Sequence, residues 1–310
     1  MNILLTGAGG FLGKQILSDI GALGWENMHV TAVSSQADAL RSKSLKSENK
    51  NRSHSITYAK PREALSESEL FKGAIVINCA FPRTVDGRNA AAGIRYVSDI
   101  LQTSIKGKAS GVINVSSQSV YSKEREHAAT EFSFLSPESP YALAKFACEL
   151  LTEAYCFNKV PYTNVRLASL IGPRFDQRVV NKIALKAVNQ EPITIEESGC
   201  MFGFMDVRDA SNGLIQLALS NPNTWRSTYN LGNEKSYSLT DIANSIERIM
   251  NSMDLTMPNI DFKPIERNKK INSEVDAQCF MNDFEWSPSF TLDQTVLDIV
   301  KAYLLDMRGE

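Results

Sequence analysis

Glycines 7, 10 and 13 follow directly on a short apolar run, Ile3-Leu4-Leu5, and open a helical pattern through Lys14–Ile20. A run of that length reads as a fully buried strand, so the chain begins strand–turn–helix. In that context each glycine has a task. Gly7 permits the tight turn, Gly10 lets backbone approach a pyrophosphate, and Gly13 allows close packing of helix on strand. Unpaired N–H groups and the macrodipole at the helix start favour the negative charge of such a group. The turn therefore predicts a dinucleotide site that includes Gly7, Gly10, Phe11, Leu12 and Gly13.

Further apolar runs lie at 29–34, 55–58, 74–79, 111–116 and 162–167, and amphipathic stretches near 11–23, 63–71, 88–105 and 139–157 alternate with the strands. That order predicts an α/β fold, a doubly wound parallel sheet with helices on both faces. After Gly172-Pro173 the rhythm changes. Helical stretches near 177–190, 208–220, 239–252 and 291–306 are joined by a loop with Gly199 and Gly203 and by a strand at Tyr229–Gly232. The expected division is a dinucleotide-binding domain over 1–172, with return segments near 204–232, and a smaller mixed α/β lobe over 173–310 interleaved with it.

Composition removes several classes of function. With 43% hydrophobic and 22% charged residues and a net charge of −2, no basic block large enough for nucleic acid stands out. The Lys/Ser/Asn-rich segment Arg41–Arg52 reads as a solvated loop. No apolar stretch approaches the ~20 residues of a membrane span. The N-terminus is a strand without a basic lead-in, which points to a cytoplasmic protein without a signal peptide. Cysteines 79, 148, 156, 200 and 279 form no Cys-x-x-Cys pair, and histidines 29, 54 and 127 are scattered, so no metal site is expected.

The fifth strand ends in Val112-Ile113-Asn114-Val115-Ser116-Ser117. Ligands in such a sheet bind beyond the carboxyl ends of strands, so both serines reach the mouth of the cleft; a turn-forming role is the alternative. Ser139-Pro140-Tyr141 starts a helix with Ser139 as N-cap and Pro140 in its first position. Tyr141 and Lys145, four apart, share a face. A stripe of Leu143, Ala147, Leu150 and Ala154 falls about 200° away. A phenol with a pKa of about 10 is a poor base, but a nearby ammonium and an oxidised nicotinamide favour the phenolate. A serine hydroxyl on the same substrate oxygen would orient it for hydride transfer.

With these features go Val165–Arg174, Phe204–Asp209, Tyr229–Gly232, and Asp276 followed by Glu285-Trp286-Ser287-Pro288 and Leu292. Over nearly its whole length the chain resembles an extended short-chain dehydrogenase/reductase of the nucleotide-sugar epimerase/dehydratase/reductase group. The resemblance implies a Rossmann fold, an NAD(P) cofactor with Ala80 beside it, a nucleotide-sugar substrate and a homodimer. It also implies roles: Ser117 orients the substrate, Tyr141 transfers the proton, and Lys145 activates Tyr141 and bonds the nicotinamide ribose.

Departures from the family pattern narrow the reaction. Gln118 and Ser119 stand where dehydratases carry an acid pair, so dehydration is not expected. Ser34 and Ser35, with Arg41 and Lys43 beyond, replace the acidic residue that would repel a 2′-phosphate, which favours NADP over NAD. Ser169 and Phe202 replace a usual Asn and Arg, leaving Ser169, Arg174, Arg208 and Arg267 as substrate candidates, the arginines for bidentate phosphate contact. Together these favour a reductase of a 4-keto-6-deoxy nucleotide sugar, supplying a deoxyhexose donor for surface polysaccharide, over a 4-epimerase holding NAD. A catalytically silent NAD(P)-sensing or scaffold protein is the reading from another class, and the complete Ser117/Tyr141/Lys145 set opposes it. The helix bearing Tyr141 is apolar nearly all round, which predicts a two-fold dimer packing it and the 88–105 helix on their mates.

Overall fold

The computed structural model describes residues 1–22, 28–46, 55–82, 86–197, 199–264 and 271–308. Strands alternate with helices through the first half: β1 (Asn2–Thr6), β2 (His29–Val33), β3 (Ser55–Ala59), β4 (Ala74–Asn78), β5 (Gly111–Ser117) and β6 (Tyr162–Leu167). Shorter strands follow: β7 (Ser169–Ile171), β8 (Ile193–Glu197), β9 (Phe202–Asp206), β10 (Thr228–Leu231), β11 (Ser236–Tyr237) and β12 (Ile260–Pro264). Seven of them form one all-parallel sheet in the order β10-β6-β5-β4-β1-β2-β3. A mixed sheet β11-β9-β7 and a parallel pair β12-β8 complete the smaller part.

The helices are α1 (Phe11–Ala22), α2 (Ala37–Lys46), α3 (Pro61–Ser66), α4 (Gly87–Lys106) and α5 (Pro140–Cys156). Then come α6 (Val179–Val188), α7 (Val207–Leu219), α8 (Leu239–Ser252), α9 (Gln278–Phe284) and α10 (Leu292–Arg308). Ile3–Leu5 in β1 and Ile75–Ile77 in β4 are buried throughout, as a parallel sheet covered on both faces requires. One face packs against α1 and α7 around Ile16, Leu214 and Phe280. The other packs against α4 and α5 around Phe71, Ile100 and Leu101. A third core joins α6, α8 and α10 around Ile246, Val296 and Ile299. Because β10 and α7 come from the second half of the chain, that half is woven into the sheet.

The first turn has little freedom. Gly7 takes φ +69°, and a Cβ there would come within 2.8 Å of the Ala80 amide nitrogen. At Gly13 a Cβ would run into the Gly7 carbonyl oxygen. The chain leaves β1 between its neighbours β2 and β4, where the winding reverses, and so opens a crevice at the carboxyl ends of the strands.

Two expectations are corrected. The segment from Arg41, read as a solvated loop, is helical to Lys46 as part of α2, and the remainder to Arg52 lies outside the described residues. Of the expected loop with Gly199 and Gly203, Gly199 lies in the connection between β8 and β9, whereas Gly203 lies within β9.

Candidate active site

A cleft of about 550 Å³ opens over the ends of β1, β2 and β4, lined by Gly7, Gly10, Ser34, Ser35 and Ala80 among others. It shares Gly7, Gly10, Cys79 and Phe81 with a smaller cavity of about 180 Å³ lined also by Phe11, Leu12, Gly13, Ser117, Tyr141 and Lys145. Among the described residues no Asp or Glu lines either space. A glycine cradle leading into a carboxylate-free cleft fits a dinucleotide with its anionic pyrophosphate. Of the expected cofactor residues, only Arg41 stays outside. It is exposed on α2, and its Nη2 donates to the Tyr58 carbonyl at 2.7 Å. The Lys43 side chain lies outside the described residues.

α5 delivers the phenol and the ammonium. The Ser139 hydroxyl accepts from the Ala142 amide at 3.1 Å and Pro140 occupies the first turn, fixing where the helix starts. One turn separates Tyr141 from Lys145. The Lys145 ammonium is buried, donates to the Val115 carbonyl at 2.8 Å, and sits 4.6 Å from the centroid of Phe81 and 6.0 Å from that of Tyr141. Phe81 meets Tyr141 edge to face at 6.0 Å. Ser117 ends β5, and its hydroxyl accepts from the amide and hydroxyl of Ser119 at 3.2 and 3.0 Å. Its own proton is thereby not committed to Ser119. Burial pushes the Cys79 thiol up to about 12, so this cavity-lining cysteine is a poor nucleophile.

Behind the cavity α5 is pinned to the sheet by buried charge. Arg166 on β6 grips the Glu149 carboxylate, with Nη2 to Oε2 at 2.8 Å and Nε to Oε1 at 3.1 Å. The Ser116 hydroxyl also donates to Glu149. Arg166 donates to the Tyr121 hydroxyl at 2.9 Å, which donates onward to Asn230 at 2.7 Å. Burial works against the Arg166 charge, yet the bonds and charge of Glu149 hold it above its ordinary value. An amide ladder crosses the sheet below the crevice, from Thr6 to Asn78 at 2.6 Å, Asn78 to Asn114 at 3.2 Å and Asn114 to Asn164 at 2.8 Å. It ties β1, β4, β5 and β6 at the level from which the site residues emerge.

The substrate candidates fare differently. Arg174 adopts φ +61°, is exposed, and pairs with Asp306 on α10 at 2.9 Å, away from the cavity. Arg208 is gripped by Asp206 and Asp298, each at 2.7 Å, with its guanidinium 3.6 Å from the Phe290 ring. Both arginines fasten α10 and its approach, and neither lines the cavity. Ser169 pairs with Phe204 in the register of β7 and β9, while its neighbours Ala168 and Leu170 line the cavity. Arg267 lies outside the described residues. Sequence reasoning missed the residues that close the cavity opposite α5. Phe175 stacks on Phe11 with centroids 4.2 Å apart, and Arg178 stands 5.7 Å from the Phe175 ring.

The family model for the NAD dependent epimerase/dehydratase family matches residues 3–232. The chain belongs to that family. Solved structures share the fold at low identity. The UDP-glucuronic acid 4-epimerase of Bacillus cereus in complex with NAD is 20% identical with a TM-score of 0.82, over 100% of this chain and 98% of that one. The UDP-glucose 4-epimerase of Thermotoga maritima is 19% identical with a TM-score of 0.76, over 99% and 100%. The dTDP-glucose 4,6-dehydratase of Bacillus anthracis in complex with NAD is 17% identical with a TM-score of 0.79, over 99% and 98%. Membership of this epimerase/dehydratase family implies an NAD(P) cofactor, which the carboxylate-free cleft suits. Among the described residues no helix is long and apolar enough to cross a membrane.

Proposed function

We propose that this family member moves hydride at C4 of a nucleotide sugar, and that it turns over as a 4-epimerase. The observation that carries the reading is the 180 Å³ cavity, where Ser117, Tyr141 and Lys145 converge next to the glycine turn. A bound nicotinamide supplies the hydride acceptor and donor. Tyr141 takes the proton from the C4 hydroxyl and returns it, Ser117 bonds that oxygen and fixes its direction, and Lys145 keeps positive charge beside the phenol. Gln118 and Ser119, following Ser117, supply no acid–base pair for eliminating water.

Epimerisation stands ahead of reduction because two of the structurally similar proteins are 4-epimerases. Reduction of a 4-keto-6-deoxy nucleotide sugar is the second reading, supported by the end of β2. Ser34 and Ser35 line the cleft there without a carboxylate, leaving room for a 2′-phosphate. The exposed stripe on α5, with Leu143 56% and Leu150 53% accessible, supports a homodimer. The functional test follows UDP-glucose, UDP-N-acetylglucosamine and UDP-glucuronate by proton NMR, and NADPH absorbance with a 4-keto-6-deoxy nucleotide sugar. A C4 epimer formed without net cofactor consumption is the expected result. Stoichiometric NADPH oxidation would replace it with the reductase, and silence in both assays would leave the NAD(P)-sensing reading.

A further inference from the structure

We propose that Arg178 receives an anionic group of the substrate beside the reacting carbon, and that this group is a carboxylate on the sugar ring, making the substrate a nucleotide-linked uronic acid. The inference rests on the reading that Tyr141 acts at the C4 oxygen. Among the described residues the catalytic cavity is lined by two cations, Lys145 and Arg178, and by no Asp or Glu. Lys145 is already engaged by the Val115 carbonyl and the face of Phe81. Arg178 is not. Its Nε is buried without a hydrogen-bond partner, and no carboxylate among the described residues pairs with it. By contrast Arg166, Arg174, Arg208, Arg226 and Arg248 each hold an Asp or Glu.

A buried Nε–H without an acceptor is costly, and the planar fork of donors to which it belongs matches an oxyanion pair. The missing partner of Arg178 is therefore an anion brought by the ligand. Arg178 lines the same cavity of about 180 Å³ as Tyr141, so guanidinium and phenol face one small space, and burial weakens the Arg178 charge there. In a hexopyranose C4 is flanked by C3 and C5, and C5 carries C6. The diphosphate hangs from C1, across the ring. An anion that meets both Tyr141 and Arg178 is thus a C6 carboxylate rather than the diphosphate.

The test uses calorimetry on the full-length, NAD-loaded protein with UDP-glucuronate, UDP-glucose and UDP, repeated with the thymidine nucleotides if the uridine ones do not bind. The native protein should bind the glucuronate form at least about tenfold more tightly than the glucose form. Arg178→Gln should erase that preference while leaving the affinity for UDP and UDP-glucose within about twofold. Arg178→Lys should keep part of it, as a point charge without the fork. Equal weakening of all three ligands in Arg178→Gln would assign the cation to the diphosphate and overturn the proposal. So would a native protein without preference, whatever the variants do. C4 epimerisation of UDP-glucose by a protein indifferent to the carboxylate overturns this inference alone, whereas failure to bind any nucleotide sugar overturns the proposed reaction as well.

Discussion

Lys145 donates to the Val115 carbonyl and rests on the Phe81 ring, so its ammonium is fixed next to the phenol before any ligand arrives. A charge positioned in advance needs little reorganisation during proton transfer. The whole proton step therefore falls on the Tyr141 hydroxyl. Tyr141→Phe keeps the ring against Phe81 and removes the proton carrier, so turnover should drop by at least ~10². Cofactor affinity should stay within about twofold of native. Single-turnover absorbance of the bound nicotinamide together with cofactor titration checks both, and near-native turnover would remove Tyr141 from its role. At the other end of the cleft, the buried Ser34 accepts from the Gln36 amide at 3.0 Å and faces the space beyond β2. Ser34→Asp places a carboxylate there and should weaken NADPH much more than NADH. Equal losses for both cofactors, measured by fluorescence titration, would show that the 2′ group lies elsewhere. Arg41 donates to the Tyr58 carbonyl and does not line this space.

At the scale of elements, α5 carries chemistry on its inner face and its anchor one turn later. Lys145 and Glu149 are four apart, both buried, and Glu149 is clamped to β6 through Arg166. Removing one member of such a pair strands the other charge in the interior. Glu149→Ala should therefore cost about 3–5 kcal/mol in chemical denaturation and lower activity through displaced α5. A loss under about 1 kcal/mol would mean that water reaches Arg166 and that the clamp is not what holds the helix. This pairing also shows what the sequence made legible. Periodicity of 3.6 puts Tyr141 and Lys145 on one face, and a buried strand run puts Ser117 at the crevice, because both patterns are local. Arg174 misled for the opposite reason, since its partner Asp306 lies 132 residues further on. Arg208 has Asp206 two residues away, and only its second partner, Asp298, is distant, 90 residues further on. Arg178 had no local signature either. Its place depends on the turn through Arg174 at φ +61° and on Phe175 stacking against Phe11, a contact across more than half the sheet-forming chain. β8 and β12 were unreadable for the same cause, since among the described residues each of these five-residue strands pairs only with the other.

On the scale of the whole molecule, the outer face of α5 governs association. Ala142, Lys145, Cys148, Glu149, Thr152 and Cys156 face inward, and the stripe of Leu143, Ala147, Leu150 and Ala154 turns away from the sheet. An apolar helix face is covered either by the chain's own C-terminal lobe or by a second copy. The accessibility of Leu143 and Leu150, at 56% and 53%, shows that the lobe does not do it. Beside it, α4 is locked to α5 by Tyr155, whose hydroxyl meets Ser98 at 3.0 Å and Gln102 at 2.7 Å. The two helices thus present one firm surface, with Ala91 and Ala92 of α4 also exposed. Small and aliphatic residues on a rigid helix pair suit self-complementary packing about a two-fold axis. Each leucine taken from water contributes about 1.5–3 kcal/mol, and symmetry counts it twice. We expect a dimer at micromolar concentration by light scattering. The double variant Leu143→Glu/Leu150→Glu should be a monomer that keeps its fold, because neither side chain supports the chain's own core. Because Leu143 and Leu150 line neither the cleft nor the cavity, that monomer should still bind cofactor with near-native affinity. A native protein that is monomeric at micromolar concentration and fully active would rule out association through this face.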